Sequence, residues 1–516
     1  SIMSIQLVTR AKASGVVITP RDVFERKTVA ALAEVATSGE ETITLEELPG
    51  GGVGEFPLTP IVRWMLGRDG DFRRYSQAAL FTTPAELDED TLTAAMQAVL
   101  DRHDMLRARL YRSDRWIMAT APPGWVRATE VVRTVPLAAA DSFPDAASRE
   151  LDAAAGRLDP ESGVMVQAVW FASTAEPAAG RLLIVAHHAV VDGVSWRILV
   201  PDLALACARV LSGEAPALPD TGTSMRTWAH ALTDVAQERS RTAELGLWRR
   251  MLDTPDPPLG ARPLTPADVQ TSDVEVQVPV AVTETLLTSL PQAFHGNVAD
   301  GLLTALALAL VQWRRDRGIE SSAALVNLEG HGREEHVVPG ADLARTVGWF
   351  TTIFPVGLDL DRVDVADACA AGPAAGDAVK AVKERLHSIP DHGIGFGLLR
   401  YLDDDTAREL SAQASPQVSF NYLGRLGAGT APGGDWMPVS DAGLAAAAHS
   451  GLPAAAVVDV NARTTDTAAG PVLTATWSFP VGVIAAADVG ELARLWVRAL
   501  EALAEHTQSG GGGFTP

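Results

Sequence analysis

A mostly apolar strand pattern, Arg181 to Ala186, runs straight into the pair His187-His188, and a helix pattern with one apolar face takes over from Ser195 to Val210. Strand, polar turn and amphipathic helix in immediate succession form the building unit of an α/β body. A second such junction lies downstream. An apolar helix pattern, Gly301 to Arg314, leads to a largely apolar strand, Ala323 to Leu328, which ends at Glu329. The body begins near Phe56. It takes in an amphipathic helix over Thr91 to Arg102 and an alternating strand over Val274 to Val278, stopped by Pro279. Further strands are expected over Gln417 to Tyr422 and Val472 to Phe479, with a closing helix over Ala487 to Ala504. Residues 215–275 read as mixed, with turns at Pro255-Asp256-Pro257-Pro258. At 516 residues, 47% of them hydrophobic, the chain is too long for one ordinary core and predicts two or three units.

The first 36 residues stand apart. Ile2, Ile5, Leu7, Val8 and Ala11 recur at helical spacing, with Gly15 as the stop. Thr19-Pro20-Arg21-Asp22 opens a short helical turn, and a third helix is expected over Thr28 to Ala36. Residues 38–54 read as a linker with Pro49-Gly50-Gly51-Gly52, and the Gly-rich tail 509–516 as another.

Charge and cysteines narrow the function. A net charge of −22 counts against nucleic acid as a partner, since such proteins present a basic face. Two distant cysteines, Cys207 and Cys369, make neither a disulfide framework nor a metal motif, and fit a reducing, cytoplasmic setting. The strongest apolar run, Leu302 to Trp313, falls short of the ~20 residues of a membrane span.

Two stretches carry chemistry. In His187-His188-Ala189-Val190-Val191-Asp192-Gly193, neighbouring rings leave the strand on opposite faces, so one can enter a cavity while the other packs behind it. Asp192 suits a turn lock, paired with an arginine or with backbone donors, and Gly193 suits a tight turn or a close ligand approach. The plain alternative is a pair of satisfied core histidines. Zinc is a poorer fit, because His188 and Asp192, four apart, lie off any continuous helix. Ser195 lacks the second glycine of a nucleophile elbow. In Glu329-Gly330-His331-Gly332-Arg333-Glu334, a half-buried carboxylate would gain affinity for its proton and carry it near neutral pH. The alternative is an ion pair of Glu329 with Arg333 or Arg345 that only holds a loop. Asn421 and Tyr422 sit at a strand end, where Tyr422 either bonds an enolate or caps a loop. Pro390 to Gly397 has alternating glycines without the spacing of a dinucleotide fingerprint, which sets that motif aside.

Taken in order, Pro60 to Trp64, Arg102 to Arg107, the double-His stretch, Glu329 to Glu334, Arg345 to Phe350, Pro390 to Gly397 and Phe420 to Gly424 resemble the epimerization domain of nonribosomal peptide synthetases, over about Phe56 to His506. The double-His motif is shared with condensation domains; Glu-Gly-His-Gly-Arg-Glu and Phe-Asn-Tyr-Leu-Gly mark the epimerization branch. Residues 1–37 resemble the back half of a peptidyl carrier domain, with Ser1 as the 4'-phosphopantetheine serine. The first carrier helix and the Gly-Gly-Asp before that serine are absent from this sequence.

The resemblance implies an α/β fold of two chloramphenicol-acetyltransferase-like lobes in a V, about 55–230 and 231–508, with a tunnel between them. His188 would come from the first lobe, supported by His187, Asp192 and Gly193. Glu329, Asn421 and Tyr422 would come from the second, with Arg333 in support. The substrate would be an aminoacyl or peptidyl thioester on a carrier's phosphopantetheine, with no metal, nucleotide, nucleic acid or membrane involved. An adenylation domain upstream and a condensation domain or module downstream would be its neighbours. His188 and Glu329 would be the proton carriers and Tyr422 the enolate donor. A condensation domain is the alternative within the fold, and a catalytically silent docking scaffold the alternative outside enzymes.

Overall fold

The computed structural model describes residues 44–513 apart from 138–141, 174–179, 427–434 and 440–450, and, before them, 15–18, 28–38 and a few isolated positions. Two compact units emerge. The first comprises Ser1–Val235, Arg333–Thr351 and Gly429–Leu452; the second comprises Ala236–Gly332, Thr352–Ala428 and Pro453–Pro516. A single cut near residue 230 therefore misses two later segments that return to the first unit. Arg333 and the stretch Arg345 to Phe350 belong to the first unit, although they follow Glu329 in the chain.

The first unit is built on four strands, β1 (Ser76–Thr82), β2 (Val132–Leu137), β3 (Val166–Ser173) and β4 (Arg181–His187), in the order β1-β4-β3-β2. Its helices include α1 (Glu89–Arg102), α2 (Phe143–Gly156) and α3 (Trp196–Leu211). Both faces of β4 are covered, which is why it reads as a continuous apolar run. Leu183 and Val185 pack with Ala147, Leu151 and Ala155 of α2. Ile184 and Ala186 meet Met96 and Val99 of α1 and Leu199 and Leu203 of α3 around a small apolar gap. Strand alternation then sends His187 and His188 to opposite sides. A smaller sheet joins Gly54–Phe56, Trp116–Thr120 and Ala108–Arg112.

The stretch 38–54 is no free tether over its described part. The Glu47 carboxylate accepts bonds from the Ser224 N–H at 2.7 Å and hydroxyl at 2.6 Å, and from the Thr227 hydroxyl at 2.7 Å. Those groups open a regular helix, Met225–Ala236, inside the stretch expected to be mixed. Ahead of it, the expected third helix is Val29–Val35, capped by the Thr28 hydroxyl, and Val16–Val17 pairs with Thr37–Ser38. Ser1 lies outside the described residues.

The second unit holds six strands: β5 (Thr271–Val278), β6 (Ala323–Gly330), β7 (Thr352–Asp359), β8 (Val418–Leu426), β9 (Val458–Thr467) and β10 (Gly470–Pro480), in the order β5-β10-β9-β8-β6-β7. One face is apolar: Val326, Leu328, Val418, Phe420, Val458, Val460 and Trp477 share a core with α4 (Val298–Arg315), α5 (Pro373–His387) and α6 (Ala486–Gln508). The opposite face is polar, carrying Glu329, Ser419, Asn421, Asp459 and Asn461 by strand alternation. The start of α4 lies three residues ahead of the expected one because the cap is Asn297, whose side chain and that of Asp300 bond each other's backbone N–H in a capping box. The described residues hold no single helix long and apolar enough to cross a membrane. Val280–Phe294 and Val298–Arg315 would reach the length together but meet at 100°, and α4 is a buried core helix.

Candidate active site

His188 opens a short 3-10 turn at the end of β4. Its backbone N–H donates to the Tyr75 carbonyl at 2.8 Å, and its ring stacks on Tyr75, with centroids 5.1 Å apart and planes at 17°. The Trp349 indole lies against it at 4.2 Å. Nδ1 sits 2.9 Å from the Val191 carbonyl, which can only accept, so Nδ1 carries the proton and Nε2 the lone pair. That lone pair faces the Gln77 carboxamide at 3.0 Å. Burial pushes the His188 pKa down, so the ring is neutral at pH 7, with a basic nitrogen of fixed identity.

His187 is a different histidine. Its Nε2–H donates to the Phe72 carbonyl at 2.8 Å, and its Nδ1 accepts the Ala189 N–H at 3.2 Å. Both nitrogens are spent on backbone, so it is the supporting ring of the pair. Burial lowers its pKa from 6.5 to about 4. The unfolded chain therefore binds more protons between those values. The stability held by the neutral ring is complete above pH ~6.5 and is lost as pH falls toward 4, by ~3 kcal/mol. Ring signals from histidine-labelled protein should keep the neutral Nε2–H form at pH 5; a midpoint near 6.5 would show that the ring is not held.

Asp192 is a turn lock. Its Oδ1 accepts the N–H of Val194 at 3.1 Å and of Ser195 at 2.8 Å. Its Oδ2 accepts from Arg333 at 2.6 Å and from the Phe350 N–H at 3.2 Å. The guanidinium also donates to the Thr346 carbonyl at 3.0 Å and lies 4.2 Å over the Phe350 ring. The Ser195 hydroxyl is tied between Asp192 and Gly348, so no nucleophile is presented there. A second clamp works alongside: Asp202 takes Arg345 at 2.6 and 2.7 Å and the His103 ring at 2.9 Å. Together the clamps fix the segment that carries Trp349 against His188. Gly193 has no left-handed φ, and space for a Cβ is open, so a tight turn is not what calls for glycine there.

In the second unit Glu329 lies within β6, one residue short of its end. The two arginines expected as its alternative partners bond Asp192 and Asp202 instead. Glu329 Oε2 accepts the Asn421 amide at 2.9 Å, and one strand further the Asn461 amide donates to Asp459 at 3.0 Å. Burial, and then the Asp459 charge, raise the Glu329 pKa to about 8.

Tyr422 does not join this group. Neighbours on a strand face opposite ways, so Tyr422 leaves β8 on the core side while Asn421 leaves on the Glu329 side. Its ring packs on the hydrophobic core and its hydroxyl bonds Thr464 at 3.0 Å. The strand continues to Leu426 across a register shift between Tyr422 and Arg425, where Gly424 adopts φ +83°. Tyr422, expected as the enolate donor, therefore lies on the core face and not on the face of Glu329. Tyr422→Phe should cost ~1 kcal/mol of stability in urea unfolding, the worth of one hydrogen bond, and leave any activity within about threefold; a larger loss of activity would return Tyr422 to the site.

Sequence reading missed Gln77 and Asp459. Gln77 is a lone amide beside the apolar strand pattern Ala78 to Phe81, which was the available signal. Pro390 to Gly397 forms a 3-10 turn running into a helix, Ile394–Tyr401. Among the described residues no group of three or more His, Cys, Asp or Glu is placed to hold a metal ion.

The condensation-domain family model matches residues 53–436. The chain belongs to the condensation-domain family. Relatives of the domain include a linear gramicidin synthase of Brevibacillus parabrevis, 33% identical over all of this chain but only 6% of that protein. Chondramide synthase cmdD of Chondromyces crocatus is 38% identical over 83% of this chain and 11% of its own length. The chain thus spans a small fraction of these synthases. Among solved structures, the epimerization domain from the third module of tyrocidine synthetase B superposes with a TM-score of 0.74 at 27% identity, covering 91% of this chain and all of that one. The X-domain from teicoplanin biosynthesis, at 0.64 and 18% identity with 90% and 97% covered, shares the condensation-domain fold.

Proposed function

We propose that this condensation-family domain epimerizes the α-carbon of an aminoacyl or peptidyl thioester carried on the phosphopantetheine of a carrier domain. The carrying observation is a pair of placed proton carriers. His188 has its lone pair on Nε2, and Glu329 is a carboxyl held by Asn421 where burial raises its pKa to about 8. A thioester acidifies its α-proton because the carbanion delocalises into the carbonyl. A base takes the proton from one face and an acid returns one to the other, giving a mixture of L and D forms. Likeness to the tyrocidine epimerization domain supports the same reading. The arm itself would belong to the carrier, with an adenylation domain before it and a condensation domain or module after. The two cysteines and acidic charge suit a cytoplasmic assembly line.

The family match by itself fits a second reading, amide formation between two carrier-bound acyl groups through His188. Glu329 favours the first, since amide formation needs no second proton carrier.

The test is exchange in deuterated water. The domain is given a complete carrier bearing an L-aminoacyl or L-peptidyl phosphopantetheine, and the released acid is resolved by chirality and mass. Mixed L and D product with one α-deuterium supports epimerization. No exchange, with a new amide when an acceptor carrier is added, assigns condensation. Neither product leaves a docking scaffold, and the epimerization reading falls.

A further inference from the structure

Tyr422 lies on the other face of its sheet, so the negative charge that develops on a substrate oxygen needs a different donor. The surroundings of His188 supply one. Gln77 is the second residue of β1 and pairs in register with Ala186, so it shares the face from which His188 emerges two residues later. Its Oε1 accepts the Trp196 indole N–H at 2.8 Å. Indole N–H can only donate, which fixes the sense of the amide and turns its NH2 end toward His188 Nε2 at 3.0 Å. The order is continuous: Trp196 donates to Gln77, Gln77 donates to His188 Nε2, and His188 Nδ1–H donates to the Val191 carbonyl.

We infer that Gln77 is a catalytic residue that keeps the lone pair on His188 Nε2 in the resting domain and donates its amide N–H to the enolate oxygen during turnover. The enolate role rests on the epimerization reading above. An α-carbon about to lose its proton stands ~3–3.5 Å from the base. Its carbonyl oxygen lies about 2.4 Å from that carbon by bond geometry. An N–H that touches Nε2 is thus within hydrogen-bond reach of that oxygen once the α-carbon has displaced it from the lone pair.

The step balances without any further reagent. The Cα–H bond breaks and its proton joins Nε2. The electron pair forms a Cα=C bond and the carbonyl π pair moves onto oxygen, where the Gln77 N–H meets it. Return of a proton from the acid reverses those shifts on the other face, and the protonated ring and ionised acid then return to their starting forms by exchanging protons with solvent water. The amide changes partner but neither gains nor loses a proton.

Two variants test this in the intact domain with a loaded carrier. Gln77→Leu keeps bulk and removes the donor; Gln77→Glu keeps the acceptor for Trp196 and puts an acceptor where the donor was. Both should lower kcat for α-deuterium exchange by ~10²–10³-fold, the loss typical of one oxyanion donor, with KM for the carrier little changed. Nitrogen-15 spectra of labelled histidine should show His188 Nε2 unprotonated in the natural domain and protonated in Gln77→Glu. That readout does not depend on turnover and is not moved by a merely structural role. Natural-rate exchange in folded Gln77→Leu, or a protonated Nε2 in the natural domain, overturns the Gln77 assignment alone. Absence of exchange in the natural domain overturns the epimerization reading and the enolate role with it.

Discussion

Glu329→Gln is expected to lower α-proton exchange by ~10²–10⁴-fold at neutral pH, the range for loss of a positioned general acid. The substitution keeps shape and the bond to Asn421 but removes the proton. His188→Ala should cost a similar factor by removing the base. On the proposed reaction, the competent form has neutral His188 and protonated Glu329. The rate should therefore fall as pH rises through about 8, when Glu329 ionises. It should fall on the acid side only below the usual histidine range, because burial lowers the His188 pKa. Stability falls over the same rise in pH. A carboxyl raised from 4.5 to about 8 contributes fully below pH 4.5 and loses that contribution as pH rises through 8, where a buried charge must form. Glu329→Gln should accordingly unfold at higher urea concentration than the natural domain at pH 9, while being nearly inactive. Loss of activity with gain of stability is the signature of a group held in place for chemistry. An active but less stable variant would make Glu329 a structural residue.

Arg333→Ala should destabilise the first unit by ~3–5 kcal/mol, since it strands the Asp192 carboxylate inside the protein. Both side chains of this pair are at most 5% exposed. Against a typical total of ~5–15 kcal/mol the loss is large. Asp192 would keep its bonds to the N–H groups of Val194 and Ser195 but lose the Arg333 guanidinium, and with it the tie to Thr346. Because the same segment carries Trp349 against His188, activity should fall together with the urea midpoint. Arg333→Lys restores charge without the fork and should recover only part of the stability. A shift below ~1 kcal/mol would mean that the clamp is not what holds the segment, as is common for exposed pairs.

Much of this site is legible in the chain before any fold is known. The strand ending at His187-His188 can be read because helices cover both of its faces, and burial on two faces writes an unbroken apolar run; the one ending near Glu329 can be read from its largely apolar run, Ala323 to Leu328. Alternation alone puts the two histidines on opposite faces; which of them is spent on backbone comes from the bonds to Phe72 and Ala189. Tyr422 yields to the same rule: once Phe420 is an inward residue, Tyr422 is inward too and Asn421 is not. The local pattern misleads there because its apolar alternation breaks off at Tyr422, whereas pairing with β9 carries the strand on to Leu426.

Other features depend on pairs far apart in the chain. Arg333 finds Asp192 across 141 positions, and Gln77 finds His188 across 111. No periodicity signals such meetings, because a buried arginine or glutamine looks like any other polar residue until its partner is known. The sequence by itself determined the α/β class, the two apolar junctions and the presence of a histidine pair and a carboxylate able to handle protons. Only the tertiary structure decided which histidine nitrogen is basic, that burial raises the carboxyl's pKa, and which face of the sheet each side chain serves. Composition and local pattern set which groups are available, but a tautomer and a pKa are set by the dielectric and the hydrogen-bond partners that folding brings together.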